Sequence, residues 1–256
     1  MKKKYLSILQ NSMTVLLFLT MSIVCCTWLI RDYGLYKKEI SDLRKTFFSN
    51  QKNILAEQVD LVIDYINFQK GLEQMRLKRE LKSRVNQLIR TVAYFFNEYK
   101  STKTEPEIEK LIRDVIYSST WMEKRGYYFV FNSAGQLIIH GRDRKVTEDS
   151  ENGAKKLQIQ LIFSEVKEVI DKDGEGYVTY LWNKDTNSEE YSPKLTYVKL
   201  YKPLNWIIAA GEYLDEVGLV FQNQIKEHLS KQRFNNGQGQ IFISDYKGKI
   251  IVYGDD

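Results

Sequence analysis

Residues 126–141 read GYYFVFNSAGQLIIHG, and residues 239–254 read GQIFISDYKGKIIVYG. Gly126, Phe129, Gly135 and Gly141 recur as Gly239, Phe242, Gly248 and Gly254, a constant offset of 113 residues (239 − 126). Val130, Leu137, Ile138 and Ile139 are answered by Ile243, Ile250, Ile251 and Val252. Each copy is a pair of runs rich in aromatic and β-branched residues around a turn, the pattern of a β-hairpin. The NSAG turn suits a three-residue loop with Gly135 at positive φ. Asn132 is then expected to face Gln136, with Val130 opposite Ile138 and Tyr128 opposite His140. Simple alternation puts Tyr127, Phe129, Phe131, Leu137 and Ile139 on a greasy face suited to packing against helices. Tyr128, Val130, Ile138 and His140 form the other, more polar face.

Upstream of the hairpin the chain changes character. No charged residue lies between Lys4 and Arg31, and MTVLLFLTMSIVCCTWLI (13–30) is almost wholly apolar. As a helix the uncharged run measures about 39 Å, longer than the ~30 Å core of a bilayer. A signal peptide has the same basic start, but no small-x-small cleavage site follows the run. A retained transmembrane helix over residues 5–30 is the expectation, with the basic amino terminus cytoplasmic and residues after Arg31 outside. From about Tyr36 to Lys100 the pattern is helical: Val59, Val62/Ile63 and Ile66 make one stripe, and Leu77, Leu81, Val85, Leu88/Ile89, Val92 and Phe96 another. Gly71 is a candidate bend between them. A further helix is predicted near Glu105, capped by Thr104 with Pro106 in its first turn.

Between the two hairpin copies, residues 142–176 are polar and irregular around one predicted helix, KKLQIQLIFSEVKEVID. Three strands follow: YVTYLW (177–182), KLTYVKLY (194–201) and WIIAAGEY (206–213). LDEVGLVFQNQIKEHLSKQ then returns as a helix into the second hairpin. The fold class is α+β: a transmembrane helix, then long helices packed on one face of a PAS-like five-stranded antiparallel sheet. The second hairpin is the start of another such sheet. The expected divisions are 5–30 transmembrane, 31–45 juxtamembrane stalk, 46–228 a first, membrane-distal α+β module and 229–256 the beginning of a second.

Composition narrows the function. Of the net charge of +5, Lys2, Lys3 and Lys4 supply three, which leaves too little for a nucleic-acid surface. Cys25 and Cys26 are adjacent in the apolar run, so the outer part carries neither a disulfide frame nor a thiolate metal site. The two histidines, His140 and His228, have no ligand spacing around them, and no metal or cofactor is expected. No phosphate-cradling glycine loop, nucleophile elbow or zinc-protease motif is present. Acid pairs such as Asp171/Asp173 and Glu189/Glu190 sit in polar turns. The chain is not expected to be an enzyme.

KLTYVKLY places Leu195, Tyr197, Lys199 and Tyr201 on one strand face and Thr196, Val198 and Leu200 on the other. An ammonium among aromatic rings in mid-strand is costly unless water or an anion reaches it. With Tyr128, His140, Trp182 and Tyr197, Lys199 is expected on the sheet face away from the long helices, as the main anchor for a small carboxylate. The competing account has Lys199 reaching solvent or pairing with a structural acid such as Glu212.

The blocks GYYFVFNSAGQLIIH, NG (152–153), GEGYVTYLW and PKLTYVKLYKPLNWIIAAGEYLDEV, in that order, resemble the second Cache subtype. That family comprises extracytoplasmic PAS-like sensor domains of bacterial chemoreceptors, histidine kinases and diguanylate cyclases. The similarity runs over about residues 46–228, and the repeated hairpin extends it to a double Cache region. The loop GRDRKVTEDSENG departs from the family pattern in lacking its proline and aliphatic residues. The resemblance implies a small organic acid ligand, a membrane-anchored receptor that signals through its helices, and action as a homodimer. It also implies that the chain is the amino-terminal piece of a longer receptor. An interaction module docking a partner protein on the same sheet face is the alternative.

Overall fold

The computed structural model describes residues 2–121, 126–142, 144–149, 153–184, 191–234, 237 and 239–254. Asn152, Glu189 and Glu190 lie outside them. The chain opens with one continuous helix, α1 (Lys2–Tyr99), unbroken at Gly71. Two compact units divide at Tyr65/Ile66. The first, residues 2–65, is purely helical. It contains the one described helix long and apolar enough to cross a membrane, with a mean hydropathy of 2.2 in its most apolar window. Residues 11–57 are exposed.

The second unit is built on a sheet. α2 (Glu105–Ser118) starts where expected: the Glu107 carboxylate accepts from the Thr104 backbone N–H at 2.9 Å and from its hydroxyl at 2.8 Å, with Pro106 in the first turn. Then come β1 (Thr120–Trp121), β2 (Gly126–Phe131), β3 (Leu137–His140), α3 (Arg144–Asp149), α4 (Gly153–Asp173), β4 (Glu175–Asn183) and β5 (Tyr191–Tyr201). A short 3₁₀ turn leads into β6 (Trp206–Tyr213) and α5 (Leu214–Ser230). The five expected strands form one antiparallel sheet in the order β3-β2-β6-β5-β4, and the two-residue β1 is a sixth strand, also on β2. α3 lies in the segment expected to be irregular, and it forms because Val146 is drawn into the core at 2% exposure.

The long helix α1, with α2, packs on one sheet face as expected, and α4 covers the other. On one side Leu77, Leu81, Val85, Leu88 and Val92 of α1, with Ile108, Ile112 and Ile116 of α2, pack on Tyr128, Val130, Ile139, Leu195, Tyr197 and Ile208. On the other Ile159, Ile162, Val166 and Ile170 of α4 pack on Tyr127, Phe129, Phe131, Leu137, Val178, Val198 and Tyr213. Sequence alternation correctly separated the two sets on β2 and β5, and it assigned them to the wrong helices.

The hairpin turn forms as expected. Asn132 N–H donates to Gln136 O at 3.0 Å, Gly135 N–H donates to Asn132 O at 3.1 Å, and Gly135 has φ +82°. The register beyond it differs. Phe131 pairs with Leu137, then Val130 with Ile139 and Phe129 with His140, so Ile138 is an extra residue in a β-bulge. The bulge turns Ile139 to the α1 side and His140 to the α4 side, and it breaks the expected Tyr128–His140 pairing.

The second hairpin repeats this geometry 113 residues on. Asp245 N–H donates to Lys249 O at 2.9 Å, Gly248 N–H to Asp245 O at 3.0 Å, and Gly248 has φ +80°. In both copies the first turn side chain, Asn132 or Asp245, accepts from the N–H groups two and four residues on. β9 (Ile243–Ser244) and β10 (Ile250–Val252) pair Ser244 with Ile250 and Ile243 with Val252, with the same irregularity between them. β7 (Arg233–Phe234) and β8 (Gly239–Gln240) form a second short pair.

Candidate functional site

Between α4 and the sheet lies a cavity lined by Tyr127, Phe129, Phe131, Leu137, His140, Ile159, Ile162, Tyr180, Trp182 and Lys194. The cavity itself is small, about 20 Å³, roughly the room that one water needs. Strand parity puts the residues there. Tyr127, Phe129 and Phe131 alternate along β2, and Tyr180 and Trp182 along β4. Lys194 stands in register between Tyr180 of β4 and Tyr213 of β6.

Lys194 is the unusual member. It is 1% exposed, and among the described residues it makes neither an ion pair nor a hydrogen bond. Its Nζ lies 3.7 Å from the Tyr127 ring centroid, 5.2 Å from that of Tyr213 and 5.3 Å from that of Phe129, a cation–π cage. Burial holds its pKa well below the ordinary lysine value. The nearby Arg142 charge pushes it further down, and Glu212 opposes both. The lysine stem reaches Tyr127 across Gly211, where a Cβ would stand 2.9 Å from Lys194 Cε.

The other walls are aromatic with polar edges. His140 is 4% exposed, its ring 4.5 Å from Tyr127 and 6.2 Å from Trp182. Lys155 of α4 lies 4.0 Å over the Trp182 ring. Thr196 Oγ1 donates to the Tyr180 hydroxyl at 3.1 Å, and Tyr213 donates to Asn183 O at 2.7 Å. Burial raises the phenol pKa of Tyr127 and Tyr180 and pushes that of Tyr213 up to about 12, so these hydroxyls stay protonated and able to donate.

Of the five residues expected to converge, His140 and Trp182 are in this cavity. Lys199, Tyr197 and Tyr128 are on the opposite face, toward α1. The single-face grouping is therefore corrected, and the reason is that β5 places Lys199 and Lys194 on opposite faces. Lys199 Nζ lies 2.5 Å from Glu175 Oε2 and 3.0 Å from Asn86 Oδ1, so a structural acid pairs with it, and that acid is Glu175. Lys82 of α1 also lies 2.5 Å from Glu175. First Lys199 and then Lys82 pull the Glu175 carboxyl down to about 2. Tyr197 is 1% exposed, its ring 4.9 Å from that of Tyr177 and tilted 56° to it. The Tyr128 hydroxyl donates to the Arg84 carbonyl at 3.3 Å.

The chain thus joins a helix long and apolar enough to cross a membrane to an antiparallel sheet that buries an aromatic cavity around Lys194. A family model of the Cache domain, dCache_2, matches residues 32–256, and the chain belongs to that family. It is 30% identical over 101 residues to the methyl-accepting chemotaxis protein McpP of Pseudomonas putida strain KT2440; that stretch is 39% of this chain and 18% of the relative. The chain thus spans a small part of that relative's length. Among solved structures it resembles a Cache chemosensory domain studied for carboxylic acid recognition, at a TM-score of 0.48 and 18% identity over 57% of this chain and 98% of that one. A periplasmic sensor domain of a chemotaxis protein aligns at a TM-score of 0.48 and 18% identity, over 56% and 98% of the two chains.

Proposed function

We propose that this chain is the ligand-sensing region of a membrane signal-transduction receptor, acting as a pair of identical copies, and that a small carboxylate binds between α4 and the sheet with Lys194 as its charge partner. The observation that carries this is a fully buried lysine that, among the described residues, makes no ion pair, and that lines a cavity together with His140 and Trp182. Desolvation makes that ammonium costly, and an arriving carboxylate offsets the cost with a charge-assisted hydrogen bond. The protonated phenols and the Trp182 face line a space of about 20 Å³, so an anionic head with a short apolar tail enters as the side chains around it give way. Lys2, Lys3 and Lys4 ahead of the apolar run support a cytoplasmic amino terminus and a cavity outside. A cavity walled by buried side chains favours this reading over a docking face for a partner protein.

The test is calorimetry of the full chain in nanodiscs against monocarboxylates of two to four carbons. Lys194→Met removes a charged hydrogen bond worth about 1.5–3 kcal/mol, so affinity is expected to fall about ten- to a hundredfold. The same variant is expected to melt at a higher temperature, because a buried amine is replaced by an apolar chain. Lys199→Met is expected to leave affinity unchanged. Binding that survives Lys194→Met and is lost in Lys199→Met overturns the assignment. In wild type, binding raises a depressed lysine pKa and therefore takes up a proton. Affinity should rise as pH falls between the ligand-bound and ligand-free pKa of Lys194, and the calorimetric enthalpy should vary with buffer ionisation heat.

A further inference from the structure

We propose that residues 32–54 form a parallel two-stranded coiled coil with the same segment of a second copy, in a register set by Asp32–Lys37 and Glu39–Arg44 pairs between the copies. The proposal rests on the reading of the receptor as a pair and supplies its contact. Tyr33, Ile40, Phe47, Ile54, Leu61, Phe68 and Met75 recur at every seventh position of α1. Each is large and apolar, and each is between 42% and 63% exposed in the single chain. A straight helix has 3.6 residues per turn, so a strict seven-residue repeat keeps to one seam only when two helices wind around each other left-handed.

A second row completes the seam near the membrane. Tyr36 and Leu43, three residues after Tyr33 and Ile40, are 60% and 61% exposed, and Asn50 continues the row as a single polar residue of the kind that fixes register. Further on, that row becomes Glu57, Asp64 and Gly71, so the two-row seam ends near Ile54. Lys38, Lys45 and Lys52 line the back of the helix, with Leu35 and Phe48 on the flanks next to that row.

Charge selects the partner and its direction. The positions just before Tyr33 and Ile40 are acidic, Asp32 and Glu39; those four after them are basic, Lys37 and Arg44. In a parallel pair each such acid faces the base five residues later on the other helix. Both pairs are then of opposite sign, and each occurs twice by symmetry. An antiparallel pair would set acid against acid and base against base. Two copies threaded into one membrane by the same apolar run are also held parallel. Within one copy, among the described residues, Asp32, Glu39 and Arg44 have no ion-pair partner, and Lys37 lies 5.1 Å over the Tyr33 ring.

The experiment uses the full chain in membrane vesicles with Cys25 and Cys26 both changed to Ser, plus one introduced cysteine and a mild oxidant. Leu43→Cys and Phe47→Cys should cross-link between copies at least tenfold faster than Lys38→Cys and Lys45→Cys. In the Leu43→Cys background, Glu39→Arg or Arg44→Glu alone should lower the cross-linking yield about fivefold, since two attractive contacts become repulsive. The two changes together should restore it to within about twofold. Equal rates on seam and back, or no rescue by the double change, overturns the coil. Sedimentation in detergent separates the two ideas. A dimer that persists without seam cross-links sinks the coil and leaves the paired receptor standing, whereas a monomer at all concentrations removes both.

Discussion

At Gly211 a methyl group would stand 2.3 Å from Thr196 Oγ1, 2.9 Å from the Leu195 carbonyl oxygen and 2.9 Å from Lys194 Cε. The hydroxyl and the lysine can shift, but the carbonyl belongs to a paired strand and cannot. Gly211 is therefore the gap through which Lys194 reaches the Tyr127 ring. Gly211→Ala should cost about 1–3 kcal/mol of stability, read as a lower melting temperature, and should also weaken carboxylate binding. Gly218→Ala in α5, where a Cβ meets nothing within 4 Å, should instead stabilise by about 0.5–1 kcal/mol. If both variants behave alike, the packing account of Gly211 is wrong. The same residues show what the sequence could say. That a lysine of this strand lies among aromatic rings was legible, but PKLTYVKLY carries two lysines of opposite parity. A strand read as residues 194–201 leaves Lys194 at its end and Lys199 inside it. The strand begins at Tyr191, which makes Lys194 an interior residue sharing a face with Thr196 and Val198. Because helices bury both faces, neither face of the strand looked like solvent, and parity could not tell which lysine entered the cavity.

At the scale of elements, the strands, the long helix, the capped α2 and the hairpin turn were legible, because each is written in local spacing. The bulge at Ile138 was not, since an inserted residue changes pairing without changing composition. Its presence in both hairpins, at positions 113 residues apart, ties it to the repeated sequence rather than to either module's surroundings. α1 is tied to the β4–β5 edge by a different device. Glu175 bridges Lys82 and Lys199, Lys199 also donates to Asn86, and the Tyr177 hydroxyl donates to the Lys78 carbonyl at 2.6 Å. The Glu175 pKa is depressed from its ordinary value to about 2. Its contribution is thus fully present above the ordinary glutamate range and is lost as pH falls toward 2. Urea melts of wild type and Glu175→Gln should differ near neutrality and converge at low pH, where wild-type Glu175 is protonated. A constant difference down to pH 2 would show that Glu175 acts through packing alone.

At the scale of the whole molecule, a Cache region follows a helix whose apolar run is long enough to span a bilayer. Two features decide which side the cavity faces. The cluster Lys2, Lys3 and Lys4 lies before the run, and the sequence after it opens with mixed charge, Arg31 followed by Asp32. Positive charge resists transfer across the membrane, so the lysine cluster is expected to stay in the cytoplasm and everything after Arg31 to cross. A reporter that is active only in the cytoplasm, fused after Ser230, should therefore be silent, and one that is active only outside should be bright. The product should also keep its first thirty residues and remain with membranes after carbonate washing, because the run has no cleavage site and is longer than the bilayer core. A bright cytoplasmic reporter would put Lys194 and its cavity in the cytosol and end the reading of the chain as an external sensor. A shortened, soluble product with an active outside reporter would keep the sensor but replace its anchor with a cleaved leader, and the seam beginning at Tyr33 would lose the membrane that holds two copies parallel.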